Sequence, residues 1–103
     1  MQDRLWDRDK DYDTLVKWWT DWQFGTVPKE CLPPDGIIVE HEGKPICATG
    51  LYIGTGTQFA FMEWVVRDKN AEQRLVHKCL KLCIDRIMEL AKQKGVKLVY
   101  TAT

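Results

Sequence analysis

A single domain of mixed α/β (α+β) class, with elements in the order β-α-β-β-β-α-β, is the architecture this sequence predicts. Three observations carry it. An apolar period of 3.6 runs through residues 71–94 and stops at Gly95, which marks a long amphipathic helix. Strand-like residues 58–67 precede that helix and residues 96–101 follow it, so the three form a βαβ crossover, whose strands lie parallel and right-handed. Upstream, three β-rich segments separated by glycine-bearing turns read as an antiparallel meander. At 103 residues the chain holds one core and no second domain.

In order, residues 3–8 alternate weakly and predict a short first strand with Leu5 or Trp6 facing inward. Asp11 or Asp13 then caps a helix over residues 12–23, in which Leu15, Trp18, Trp19 and Trp22 recur at i, i+3, i+4 and i+7. That tryptophan-rich face reads as a bulky layer on a sheet in preference to a stacking platform for bases or sugars. Residues 25–36 hold Pro28, Pro33, Pro34 and two glycines, so they form a connecting loop; a lid over a neighbouring pocket is the alternative. Residues 37–40 make a strand, Glu42, Gly43 and Lys44 a hairpin turn, and residues 46–53 a second strand entered through Pro45. Gly50 inside that strand predicts a bulge or a close approach by another backbone. After a turn at residues 54–57, residues 58–67 complete the meander. The polar turn Asp68, Lys69, Asn70 opens the long helix, with Asn70 and Gln73 in capping-box spacing. Val76, Leu80, Cys83, Ile87 and Leu90 or Ala91 are its buried stripe.

Composition excludes several functions. The 15 Lys+Arg balance the 15 Asp+Glu, so no basic field argues for nucleic acid or an anionic membrane surface. No apolar run approaches the ~20 residues of a membrane span, and no leader pattern starts at Met1, which points to a cytoplasmic setting. Cys31, Cys47, Cys79 and Cys83 contain no C-x-x-C pair and read as reduced core thiols. His41 and His77 read as surface residues, and no ligand spacing predicts a metal.

The order of elements, together with Gly36-Ile37-Ile38-Val39-Glu40 leading through Gly43-Lys44-Pro45 to Ile46, and Met62-Glu63-Trp64-Val65-Val66 leading into a long helix, resembles the GNAT N-acetyltransferases. It is also similar to short GNAT-like proteins of bacteriophages, whose first helix is likewise Trp-rich. The resemblance covers the whole chain, without the helix and strands that usually follow in that family. It implies acetyl-CoA as cofactor, its acyl end beside Val65, Val66 and Arg67, and its pyrophosphate on backbone N–H groups at the start of the long helix. The family's Q/R-x-x-G-x-G/A pattern matches best from Arg74, through Val76 and His77 to Cys79, and no glycine is kept. That makes the pyrophosphate loop degenerate. Arg67, Lys69, Arg74 and Lys78 could hold phosphates by charge, or simply solvate the helix entry.

The candidate catalytic residue is Glu63, a carboxylate among apolar neighbours that would deprotonate an acceptor amine, small-molecule or peptide. Its alternative is a place on the solvent side of the pleat. With the missing glycines, a non-catalytic GNAT-fold module is the competing function. A bare strand at Val96 (residues 96–103, ending at Thr103) predicts a homodimer or a partner strand completing the sheet.

Overall fold

The computed structural model describes residues 1–101. A five-stranded sheet in the order β1-β2-β3-β4-β5 carries one helix on each face. Strand β1 (Gln2–Leu5) precedes helix α1 (Arg8–Asp21) and a 3-10 turn at Lys29–Cys31. Strands β2 (Asp35–His41), β3 (Lys44–Ile53) and β4 (Phe59–Arg67) form the meander, and helix α2 (Gln73–Gln93) crosses to β5 (Leu98–Tyr100). The first three pairings are antiparallel, and β5 lies parallel to β4 with Phe59, Ala60 and Phe61 opposite Leu98, Val99 and Tyr100. The predicted fold class and element order are therefore those observed. No helix among the described residues is long and apolar enough to cross a membrane.

Both helix starts differ from expectation. Helix α1 begins after Asp7, whose carboxylate accepts the N–H groups of Asp9 and Lys10 at 3.0 and 3.3 Å. Asp11, one of the two predicted caps, lies inside the helix and is bound bidentately by Arg4 of β1 at 2.8 and 2.9 Å. Helix α2 is capped by Glu72, because the Asn70 N–H is taken in a turn by the Asp68 carboxylate at 2.9 Å. Asn70 and Gln73 thus do not form the expected capping box.

The sheet separates two cores. On one face Val76, Cys79, Cys83, Ile87 and Ala91 of α2 pack on Ile37, Val39, Cys47, Leu51 and Met62. Cys79, rather than Leu80, occupies the buried stripe; Leu80 is half-buried at its flank. On the other face Leu15, Trp18 and Trp19 of α1 pack with Trp6 on Ile38, Ala48 and Val66. Gly50 meets a side chain, not a backbone: a Cβ there would lie 2.6 Å from the Trp6 ring and 2.8 Å from Pro33. Gly36 is tighter still, at 2.1 Å from that ring. Cys31, expected in the core, is exposed, while the other three cysteines are buried. The neighbouring Cys83 thiol, reinforced by burial, pushes the Cys47 thiol far up, which keeps it protonated.

Candidate functional site

Strand β4 changes face halfway along. Ala60 and Met62 point into the α2 core, yet Val66, which strict alternation would place with them, points into the α1 core. The switch is a bulge: Gly50 of β3 pairs with Glu63 and Ala48 with Val66, so Thr49 faces both Trp64 and Val65. Trp64 adopts φ +62°, a left-handed conformation uncommon for a bulky residue. Two contacts hold it there. Its indole N–H donates to the Tyr52 hydroxyl at 2.7 Å, and its ring meets Trp19 edge-on at 6.5 Å.

Beside the bulge, strand and loop part to leave a cleft of about 580 Å³, lined by Trp19, Phe24, Val27, Glu63, Trp64 and Val65 among others. The loop between α1 and β2 forms its far wall. It is a tied connector: Tyr12 donates to the Val27 carbonyl at 2.8 Å, Arg8 to Leu32 at 3.1 Å and Trp6 to Pro33 at 3.2 Å. A smaller cleft of about 250 Å³, bounded by Trp22, Arg67 and Leu80, adjoins the first, and Phe24 and Val65 line both. Arg67 lies over the Trp22 ring at 4.7 Å and Lys69 at 5.2 Å, so this second cleft has a cationic rim.

The β4 candidates gather here. Glu63 is half-buried and lines the larger cleft, with its backbone carbonyl accepting from Thr49 at 3.3 Å. Val65 is exposed to both clefts, and Val66 and Arg67 border the smaller one. The helix candidates do not join them. Arg74, Val76, His77 and Cys79 all lie within α2, beyond its start at Gln73, and none lines either cleft. Arg74 and His77 are exposed, whereas Val76 and Cys79 are buried against the sheet. The stretch matched to a phosphate loop is regular helix, in which the Val76 N–H already serves the Glu72 carbonyl at 2.9 Å.

The entry of α2 holds an anion of its own. Glu72 accepts the N–H groups of Arg74 and Leu75 at 3.2 and 3.1 Å, the donors that a helix start would otherwise offer to a phosphate. Glu72, Trp64, Tyr52, Trp19 and Phe24 are site residues the sequence reading missed. The bulge predicted at Gly50 is observed, as the register shift between Ala48 and Gly50; a second signal lies on the partner strand, where alternation stops at Trp64-Val65-Val66, three apolar residues in a row.

No protein-family profile and no curated protein sequence matches the chain. Solved structures do. Rv2747 from Mycobacterium tuberculosis, in complex with CoA, superposes with a TM-score of 0.80 at 16% identity, over 100% of this chain and 64% of its own. The fold is that of the GNAT acetyltransferases. N-acetylglutamate synthase from Neisseria gonorrhoeae, with coenzyme A and N-acetyl-glutamate, shares this GNAT fold at a TM-score of 0.72 and 12% identity, over 97% of this chain and 24% of its own. Ribosomal-protein-alanine N-acetyltransferase from Brucella melitensis matches at 0.73 and 13% identity, over 98% of this chain and 73% of its own. The chain thus spans about two thirds of the first of these structures and a quarter of the second.

Proposed function

We propose that this GNAT-fold chain binds acetyl-CoA along β4 and transfers the acetyl group to an amine in the larger cleft. The observation that carries the reading is the Trp64 bulge, which opens a cleft against the strand and leaves Trp64 and Val65 of β4 outside the regular ladder. Acetyl-CoA, when bound, supplies an activated thioester. A backbone N–H of the bulge, at Trp64 or Val65, would be placed to stabilise the negative charge that develops on the acetyl oxygen. Glu63 would take one proton from the acceptor's ammonium, freeing the nitrogen lone pair to attack; the second proton lost from nitrogen would pass to the leaving sulfur, so that the products are an amide and a free thiol. Arg67 and Lys69 rim the side from which the phosphates enter. The fit at the α2 entry requires Glu72 to swing off Arg74 and Leu75, and as an exposed side chain it is free to do so.

Calorimetric titration with CoA and with acetyl-CoA tests the reading. Micromolar binding, weakened by Arg67→Glu, is the expected result; no heat at millimolar ligand rules it out.

A second reading has its own support. A GNAT-fold module without catalysis, pairing through β5, agrees with the self-capped α2 entry and with Leu98 and Tyr100, which are 60% and 55% exposed. Of the predicted pairing segment, Ala102 and Thr103 lie outside the described residues. A clean monomer in sedimentation at tens of micromolar counts against this reading.

A further inference from the structure

We infer that the larger cleft takes a primary amine borne on an apolar or aromatic body and carrying no carboxylate. The inference rests on the acetyltransferase reading, because it assigns the acceptor side of that same site. The two adjoining clefts are opposite in charge. The smaller has Arg67 in its wall, with Lys69 beside it on the same Trp22 ring. The larger has Glu63 as the one ionisable side chain among its described lining residues, and no Lys, Arg or His there. An anionic cofactor and a cationic acceptor are thereby sorted to the two sides of the shared residues Phe24 and Val65.

Charge also excludes whole substrate classes. The carboxylate of an amino acid, placed in the larger cleft, would face Glu63 with no cation among the described lining residues to pair it. A sugar with several amines and hydroxyls needs many acceptors, yet the side chains offering oxygen here are Glu63, Thr26 and Thr101. The remaining side chains that face it, among them Trp19, Phe24, Val27 and Trp64, are apolar. They suit a hydrocarbon or aryl group, and the indole faces favour an adjacent ammonium. This wall is preorganised, since Trp64 is fixed by Tyr52 and Trp19 and the opposing loop by Tyr12 at Val27.

Three probes of nearly one shape separate the possibilities: 2-phenylethylamine, neutral 2-phenylethanol, and phenylalanine, which adds a carboxylate. Their titration is followed by the fluorescence of the cleft tryptophans, on the full chain and on Glu63→Gln. The amine should bind about tenfold or more tighter than either relative, and Glu63→Gln should bring amine and alcohol level. Phenylalanine binding as tightly as the amine, or an amine preference that survives Glu63→Gln, overturns the assignment. CoA is titrated in parallel on both proteins. CoA binding without the amine preference overturns the acceptor class alone, whereas an amine preference without CoA binding overturns the acetyltransferase reading.

Discussion

Both helices begin on an acidic side chain, but the two carboxylate arrangements are built differently. At α1, Asp7 caps the helix while the Asp11 carboxylate accepts the Asp7 N–H at 2.8 Å, and Arg4 clamps Asp11 from β1 while also reaching Glu40 at 3.3 Å. The Asp11 side chain is only 5% exposed. At α2, Glu72 makes its two cap bonds alone and in solvent. A buried, cross-linked carboxylate stabilises the fold and cannot be exchanged; an exposed one can be displaced by another anion. Both caps, Asp7 and Glu72, are exposed; the difference is that the Asp7 N–H is held by the buried Asp11–Arg4 pair. Under the acetyl-CoA reading, Glu72 is the cap that a phosphate would displace.

Substitutions sharpen or break that contrast. Asp11→Ala should have the largest effect, destabilising the protein by about 2 kcal/mol in urea unfolding, because it removes two charge-assisted bonds from Arg4 and leaves the Asp7 N–H without its acceptor. Burial pushes the Asp11 carboxyl up, but the bonds from Arg4 and the Asp7 N–H outweigh it and hold it below the usual carboxylate range. A depressed folded pKa contributes stability that is present above the unfolded value, about 3.9, and is lost as pH falls through the folded one. Stability measured from neutral to strongly acidic pH should show that loss, and Asp11→Ala should lack its share of it.

Next in size is Glu72→Ser, which keeps a neutral cap and removes the competing charge. CoA affinity should rise about tenfold, equivalent to ~1.4 kcal/mol, while stability stays near the parent's. An unchanged CoA affinity in calorimetry would place the phosphates elsewhere than the α2 entry. Asp7→Ala should cost about 1 kcal/mol, and Glu72→Ala about half of that, both by thermal or urea unfolding. Equal losses would mean that the Glu72 cap is held as firmly as the Asp7 cap, whose backbone N–H the buried Asp11 carboxylate accepts.

Much of the site's location was legible, and little of its geometry. Glu63, Val65 and Arg67 lie on the strand that leads into the crossover and line the two clefts. Arg74 to Cys79 lie inside α2, away from both clefts, because the family spacing falls on a stretch whose apolar period already assigns it to helix. The caps escaped for a related reason. Asp7, Asp9, Asp11 and Asp13 are equivalent by composition, and the structure distinguishes them through Arg4, which lies on a strand and claims Asp11.

What the sequence determined by itself was the order and pairing sense of the elements. Val76, Cys83 and Ile87 repeat at the helical period, and a helix between two strands forces them parallel, both local consequences of chain geometry. Gly50 marked a bulge, but the cleft beside it was decided by tertiary structure. Trp64 reaches φ +62° because the register of β3 against β4 shifts between Ala48 and Gly50, and because Tyr52 and Trp19 hold the ring from outside the strand. Each of those partners is at least a dozen residues away in the chain, a distance over which propensity and periodicity carry no information.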